Sequence, residues 1–246
     1  SAVLQVAFEN LARDLGVAIA HPAAFPAETP GSSGFDISFG NTFIILPGNE
    51  DSNPTHWQRT AGTSDIAALL YIPSVTARKG LPLSMEVGVN ASWLAGGQSG
   101  SFGGFFRAAL VEGYKPWPDM TLHVGYSGLV GHPELDLGVM DMGVTIGSTF
   151  AFGSVSGIHE AQISPWLDFS LLQMFTRVRL DEDTTTAIFG EIGEGAEDNR
   201  GKESYWLVPR IGAGIQVTNG TVFFRLAGTW SPQSVPSLFA GMGFSY

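Results

Sequence analysis

Cysteine is absent from this chain of 246 residues, and charge is scarce, with Asp, Glu, Lys and Arg together at 14%. A soluble domain usually carries about a quarter of its residues charged, so little is available here to hydrate an exterior. Without thiols there is no disulfide framework and no thiolate for a metal, which fits an exported chain. Lysine occurs only at Lys79, Lys115 and Lys202. No apolar run approaches the roughly 18 residues a membrane-spanning helix needs. The formal charge of -11 argues against nucleic acid, whose phosphates require a basic partner.

Metal and cofactor chemistry is equally thin. The five histidines are scattered with no close ligand pair, so no zinc site and no cofactor is expected. The acidic stretch 181–203, with Asp181, Glu182, Asp183, Glu191, Glu194, Glu197 and Asp198, lacks the glycine-centred spacing of a calcium loop and reads as a solvated surface. Gly125-Tyr126-Ser127-Gly128-Leu129 lacks the last glycine of a nucleophile elbow and falls in a strand. Hydrolysis would have to use His56, His132 and Asp136 near a rim, and no catalytic residue is assigned.

What is abundant is glycine, at 32 residues, and alternation. From residue 34 onward apolar residues recur every second position. Strands are expected near 34–46, 66–78, 82–95, 102–114, 120–130, 135–152, 159–178, 204–217, 221–231 and 237–246. In Leu83 to Trp93 every odd position is apolar and every even one small or polar, so one face meets an apolar medium. Alternation alone suits a soluble barrel as well as a membrane one. The polar face decides. It carries Gly, Ser and Thr with Asp36, Glu86, Asn90, Arg107, His123, Asp141, Asp168, Arg210 and Arg225, and no strand is expected to hold a lysine.

The opposite face presents Phe35, Ile37, Phe39 and Phe43, then Leu122, Val124 and Tyr126, then Tyr205, Leu207, Ile211 and Ile215, then Val222, Phe224, Leu226 and Trp230. Turning an arginine toward lipid near the midplane would cost roughly 2 to 4 kcal/mol, so the charged set belongs in a lumen and the apolar set outside. The fold expected is all-β: a closed, antiparallel, up-and-down transmembrane barrel of about ten strands. With the first strand running outward, the two longest connections, 47–65 and 179–203, fall on the outer side. The short turns, including 78–81 and 218–220, fall inside, as such barrels require. Two places fit poorly. Apolar parity changes between Val139 and Met142, so Asp141 is expected either at a bulge or in a stretch above the membrane, and Pro73 interrupts a strand.

Before the strands, residues 3–19 read as an amphipathic helix with Leu4, Phe8, Leu11 and Leu15 on one stripe. Pro22, Pro26 and Pro30 then make a linker, so residues 1–33 are expected to form a periplasmic or plugging segment ahead of a barrel at 34–246. The first residue is Ser1 rather than Met, as expected where an export signal has been removed.

With these residues in view, the stretch from residue 34 to the end resembles the bacterial outer-membrane β-barrel superfamily, an architectural likeness with no narrower family. The final strand, Leu238, Ala240, Met242, Phe244 and Tyr246, looks like the C-terminal signal read by barrel-assembly machinery, with Tyr246 where Phe is commoner. The resemblance implies a Gram-negative outer membrane, both termini periplasmic, and lipid and lipopolysaccharide around the wall. The favoured role is a non-catalytic scaffold or anchor for partner proteins. A narrow porin-like channel is the alternative, and a rim-sited hydrolase is less favoured.

Overall fold

A computed structural model of the chain describes residues 2–20, 25–46, 69–94, 99–114, 117–132, 135–152, 161–178, 204–232 and 234–246. One helix, α1 (Ala2–Ile19), precedes eleven strands: β1 (Phe35–Ile45), β2 (Leu69–Leu81), β3 (Met85–Trp93), β4 (Gly100–Val111), β5 (Asp119–Val130), β6 (Leu135–Gly147), β7 (Phe150–Phe152), β8 (Ala161–Val178), β9 (Ser204–Asn219), β10 (Val222–Ser231) and β11 (Ser234–Ser245). The three residues of β7 continue β6 along β8. Ten staves therefore pair antiparallel in chain order, β6 pairs β8, and β1 pairs β11. The ring is closed, so no strand edge is left to seek another chain.

All ten expected strands are present, and most of their edges move by one to three residues. The expected turn at 78–81 is strand: β2 continues through Leu81, and residues 82–84 make the turn, with Leu83 and Ser84 at φ of 64° and 52°. Lys79 is consequently a strand residue, against expectation. It faces outward at the rim, where its ammonium donates to the Ser33 carbonyl at 2.8 Å. The Asn219-Gly220 hairpin turns one residue later, at Gly220 with φ of 61°, because Asn219 pairs with Val222. Pro73 pairs with Asn41 of β1 but stands one residue beyond the β2–β3 ladder, which begins at Ser74.

The wall is inverted relative to a soluble barrel. Outward positions are large and apolar along each strand, among them Phe39, Val89, Phe106, Leu122, Phe169, Ile211, Phe224 and Met242, and all are exposed. Many inward positions are polar or glycine, and others carry buried apolar side chains such as Phe105, Leu172 and Phe223. Several inward rings lie on a glycine of the neighbouring strand: Phe105 on Gly88, Phe239 on Gly40 and Trp166 on Gly214, each so close that an added Cβ would collide with the ring. That use of close approach accounts for much of the glycine content.

No bulge occurs at Asp141. β6 keeps unbroken register with β5 and β8, and Leu135, Leu137, Val139 and Asp141 all point inward. The parity change read from the sequence assumed that apolar residues face out. Here the first three are covered from inside by α1, whose Leu15, Val17 and Ile19 pack on them together with Leu172, Met174 and Val208.

α1 sits in the loop end of the lumen, the end where β6 and β9 begin. Asp14 accepts from the Ser234 hydroxyl at 2.9 Å and the Val235 amide at 3.3 Å, both at the start of β11. Tyr246 is at the other end, exchanging backbone hydrogen bonds with Phe35 at 2.8 and 2.9 Å. The expectation that both termini share one end therefore does not hold for the helix. Its apolar stripe finds apolar cover only at the loop end, since the turn-end lumen is charged.

Candidate functional site: the occupied lumen

Between α1 at the loop end and β1 at the turn end, residues 25–29 lie within the lumen. Phe25, Pro26 and Ala27 are buried there. The Phe25 ring stacks obliquely on Phe105, with centroids 5.3 Å apart. The Pro26 carbonyl accepts from Arg107 Nη2 at 2.7 Å, and the Ala27 carbonyl accepts from the Thr121 hydroxyl. At the turn-end mouth the Thr29 amide and hydroxyl both donate to Glu112, at 2.6 and 2.7 Å. A proline-rich segment suits this course, because each proline removes a donor that the lumen would otherwise have to satisfy.

Two groups of charged side chains line this path. In the first, Glu86 accepts from Arg107 at 2.8 Å and from Arg78 at 3.3 Å. Asp36 is paired with Arg78 and lies 3.6 Å from Arg225, and Arg225 Nε donates to Gln216 at 2.6 Å. In the second, Arg210 donates to Asp141 at 2.6 Å and to Ser170 at 3.0 Å. His123 lies between Asp141 and Asp168, at 3.3 and 3.6 Å, and Thr145 donates to Asp168 at 2.9 Å. These residues are almost wholly removed from solvent, Glu86 at 0% and Arg107 at 1% exposure. Buried ions of this kind persist only when paired and hydrogen-bonded.

All nine polar residues assigned inward from the sequence are buried: Asp36, Glu86, Asn90, Arg107, His123, Asp141, Asp168, Arg210 and Arg225. Arg78 was missed, because a turn was expected to begin there. The alternation Ile72, Ser74, Thr76, Arg78 would have placed it inward had the strand been extended through Lys79-Gly80.

On the helix stripe, Leu15 is buried and Leu11 partly so, both against the lumen wall. Neither is available to a partner protein. The Leu4 and Phe8 side chains lie outside the described residues, as do His56, Lys115, Lys202 and the acidic stretch 181–203. Of the hydrolase candidates, Asp136 stands opposite Arg177 in the β6–β8 register and lines an outer-wall groove with Tyr126 and Tyr205. His132 and Asp136 each already have an interaction partner. Among the described residues no group of three His, Cys, Asp or Glu is arranged to hold a metal ion.

No protein-family model matches the chain, and no curated protein is similar to it in sequence. Among solved structures it is similar to bacterial outer-membrane barrels at low identity. The attachment invasion locus protein Ail of Yersinia pestis is 12% identical, with 87% of this chain and 99% of that one covered, at a TM-score of 0.33. The outer-membrane protein Omp33 of Acinetobacter baumannii is 8% identical, with 89% and 100% covered, at 0.35. The N-terminal β-barrel domain of Pseudomonas aeruginosa OprF is 11% identical, with 88% and 99% covered, at 0.31. The likeness is one of outline, and the barrel itself rests on the strand register.

Proposed function

We propose that this chain is an integral β-barrel of a bacterial outer membrane, non-catalytic, closed at rest by its own N-terminal segment, and serving as an anchor for partner proteins at its loop end. The membrane placement is supported by the inverted wall. An apolar exterior of this extent has no soluble counterpart, whereas lipid solvates it and the closed ring satisfies every backbone group between strands. In this reading lipid and lipopolysaccharide surround the wall. The C-terminal strand is periplasmic and is read by assembly machinery, and α1 lies toward the opposite side.

The observation that carries the resting state is the course of Phe25–Thr29 through the lumen, tied to the wall at Arg107, Thr121 and Glu112. A passive channel needs an unobstructed path, and here the path holds a backbone. The longest stretches of sequence between strands join β1 to β2 and β8 to β9 at the loop end, which favours that end for partners once the helix stripe has turned inward.

Recording from the purified full-length protein in a planar bilayer tests this. A quiet trace from protein that still shows heat-modifiable migration, the mark of a folded barrel, is the expected outcome. Stable, reproducible conductance steps from untreated protein would overturn the closed state.

A further inference from the structure

Three guanidinium groups converge on one phenyl ring. The Cζ atoms of Arg78, Arg225 and Arg107 lie 4.6, 4.7 and 5.8 Å from the centroid of Phe25. They come from three separate strands, β2, β10 and β4, and meet in the lumen where the N-terminal segment crosses it. Among the described residues two carboxylates, Asp36 and Glu86, answer them. One positive charge is therefore in surplus at this level of the lumen.

Hydrogen bonding at this level is incomplete on both sides, and Asp36 Oδ1 too is buried without a donor. Arg225 Nη1 and Nη2 and Arg78 Nε are buried without an acceptor. The carboxylate nearest to Arg225, Asp36 at 3.6 Å, is already paired with Arg78. A buried guanidinium with idle donors is costly, and what faces it instead is the π cloud of Phe25, the negative face of an aromatic quadrupole. Phe25 stands where an anion would otherwise be held.

We propose that Arg78, Arg107 and Arg225 form an anion-binding constriction, occluded by Phe25 at rest, which admits small inorganic anions such as chloride when the N-terminal segment is withdrawn. This rests on the closed-lumen reading above. Withdrawal removes the ring and, with it, the Pro26 carbonyl that accepts from Arg107 Nη2. Idle donors on all three arginines then line the opening, and rings of fixed charge of one sign set the selectivity of narrow pores. The facing wall carries two further carboxylates, Asp141 and Asp168, beside Arg210, His123 and Thr145, so the surplus is local to the level of Phe25.

The experiment uses the full chain in a planar bilayer under a KCl gradient. The N-terminal segment is loosened in one arm by sub-denaturing urea, which acts first on the least stable part of a fold, and in a second arm by Phe25→Ala at lower urea. Heat-modifiable migration checks in both that the barrel is folded. Openings are expected under urea, and at lower urea with Phe25→Ala, with a reversal potential on the chloride side, and Arg225→Gln in the same background should move that potential toward the potassium side. Openings that prefer potassium, or that ignore Arg225→Gln, would overturn the anion site and leave the self-closed barrel standing. A folded barrel that opens in neither arm would likewise overturn the proposal. Steady conductance before urea would remove the closed-lumen reading on which it rests.

Discussion

Arg107 bridges the barrel wall and the segment inside it: one terminal nitrogen donates to Glu86 at 2.8 Å and the other to the Pro26 carbonyl at 2.7 Å. The fork geometry is what allows one side chain to serve both, and a lysine ammonium cannot reproduce it. Arg107→Met should lower unfolding stability by roughly 3 kcal/mol, since it leaves Glu86 buried with only the longer contact to Arg78. Arg107→Lys should recover only part of that loss. Urea titration in lipid bilayers measures both, and equal stability of all three proteins would show the bridge to be inconsequential.

Leu226 faces outward next to inward-facing Arg225 near the middle of β10, so the two positions test the wall's orientation. Leu226→Arg should cost about 2 to 4 kcal/mol if lipid covers the site. A change within about 0.5 kcal/mol, as on a water-facing surface, would place solvent there instead.

Gly80 lies where the linker leaves the lumen, and a Cβ on it would collide with the Gly31 carbonyl. Backbone cannot retreat as a flexible side-chain tip can, so Gly80→Ala should destabilise by about 1 to 3 kcal/mol. Protease should cut the N-terminal segment faster while the barrel keeps its heat-modifiable migration. Unchanged cleavage would mean that the linker does not pass over β2.

Glu28 stands at the turn-end mouth. Its carboxyl is raised above the ordinary 4.5 by desolvation and by the neighbouring charges of Asp119 and Glu112, against a lowering hydrogen bond from Thr149. A carboxyl raised in the folded state favours folding while protonated. Its contribution is complete below about pH 4.5 and fades as pH rises through the raised value. Protection of the N-terminal segment from protease should weaken over that interval, and Glu28→Gln should flatten the dependence. An identical slope in the variant would exclude Glu28 as its source.

Leu83 and Ser84 hold left-handed backbone in the 82–84 turn, at φ of 64° and 52°. Each such residue costs roughly 1 to 2 kcal/mol, which glycine avoids at an entropic cost of about 0.5 to 1 kcal/mol. Leu83→Gly should therefore raise stability by up to about 1 kcal/mol in a urea titration, and a loss would indicate that Leu83 contributes packing at the rim.

The strands were legible because a wall with different media on its two faces imposes a period of two, and most charged strand residues lie on the inner face, with Lys79, Asp136 and Arg177 outside it near the rims. Arg78 escaped because Lys79-Gly80 has the composition of a turn, while Gly80 is there to let Gly31 pass. The β6 parity was misread for a related reason. Period-two patterning reports that a face is covered but not by what, and Leu135, Leu137 and Val139 are covered by a helix that precedes the barrel. The stripe of α1 was visible, but its seat was not. The end of the lumen it would enter depends on inward residues from β6, β8 and β9 that only the closed ring brings together.

The seam between β1 and β11 is sealed at Phe35 and Tyr246, just after β11, and there the cylinder closes. The crossing segment lies upstream of every stave, yet it ends up encircled by all of them. Either the staves fold around a strand of chain already in position, or the leading end threads a finished ring. Biogenesis of this protein thus carries a question of sequence in time, whether the cork precedes the bottle, that an empty cylinder would never pose.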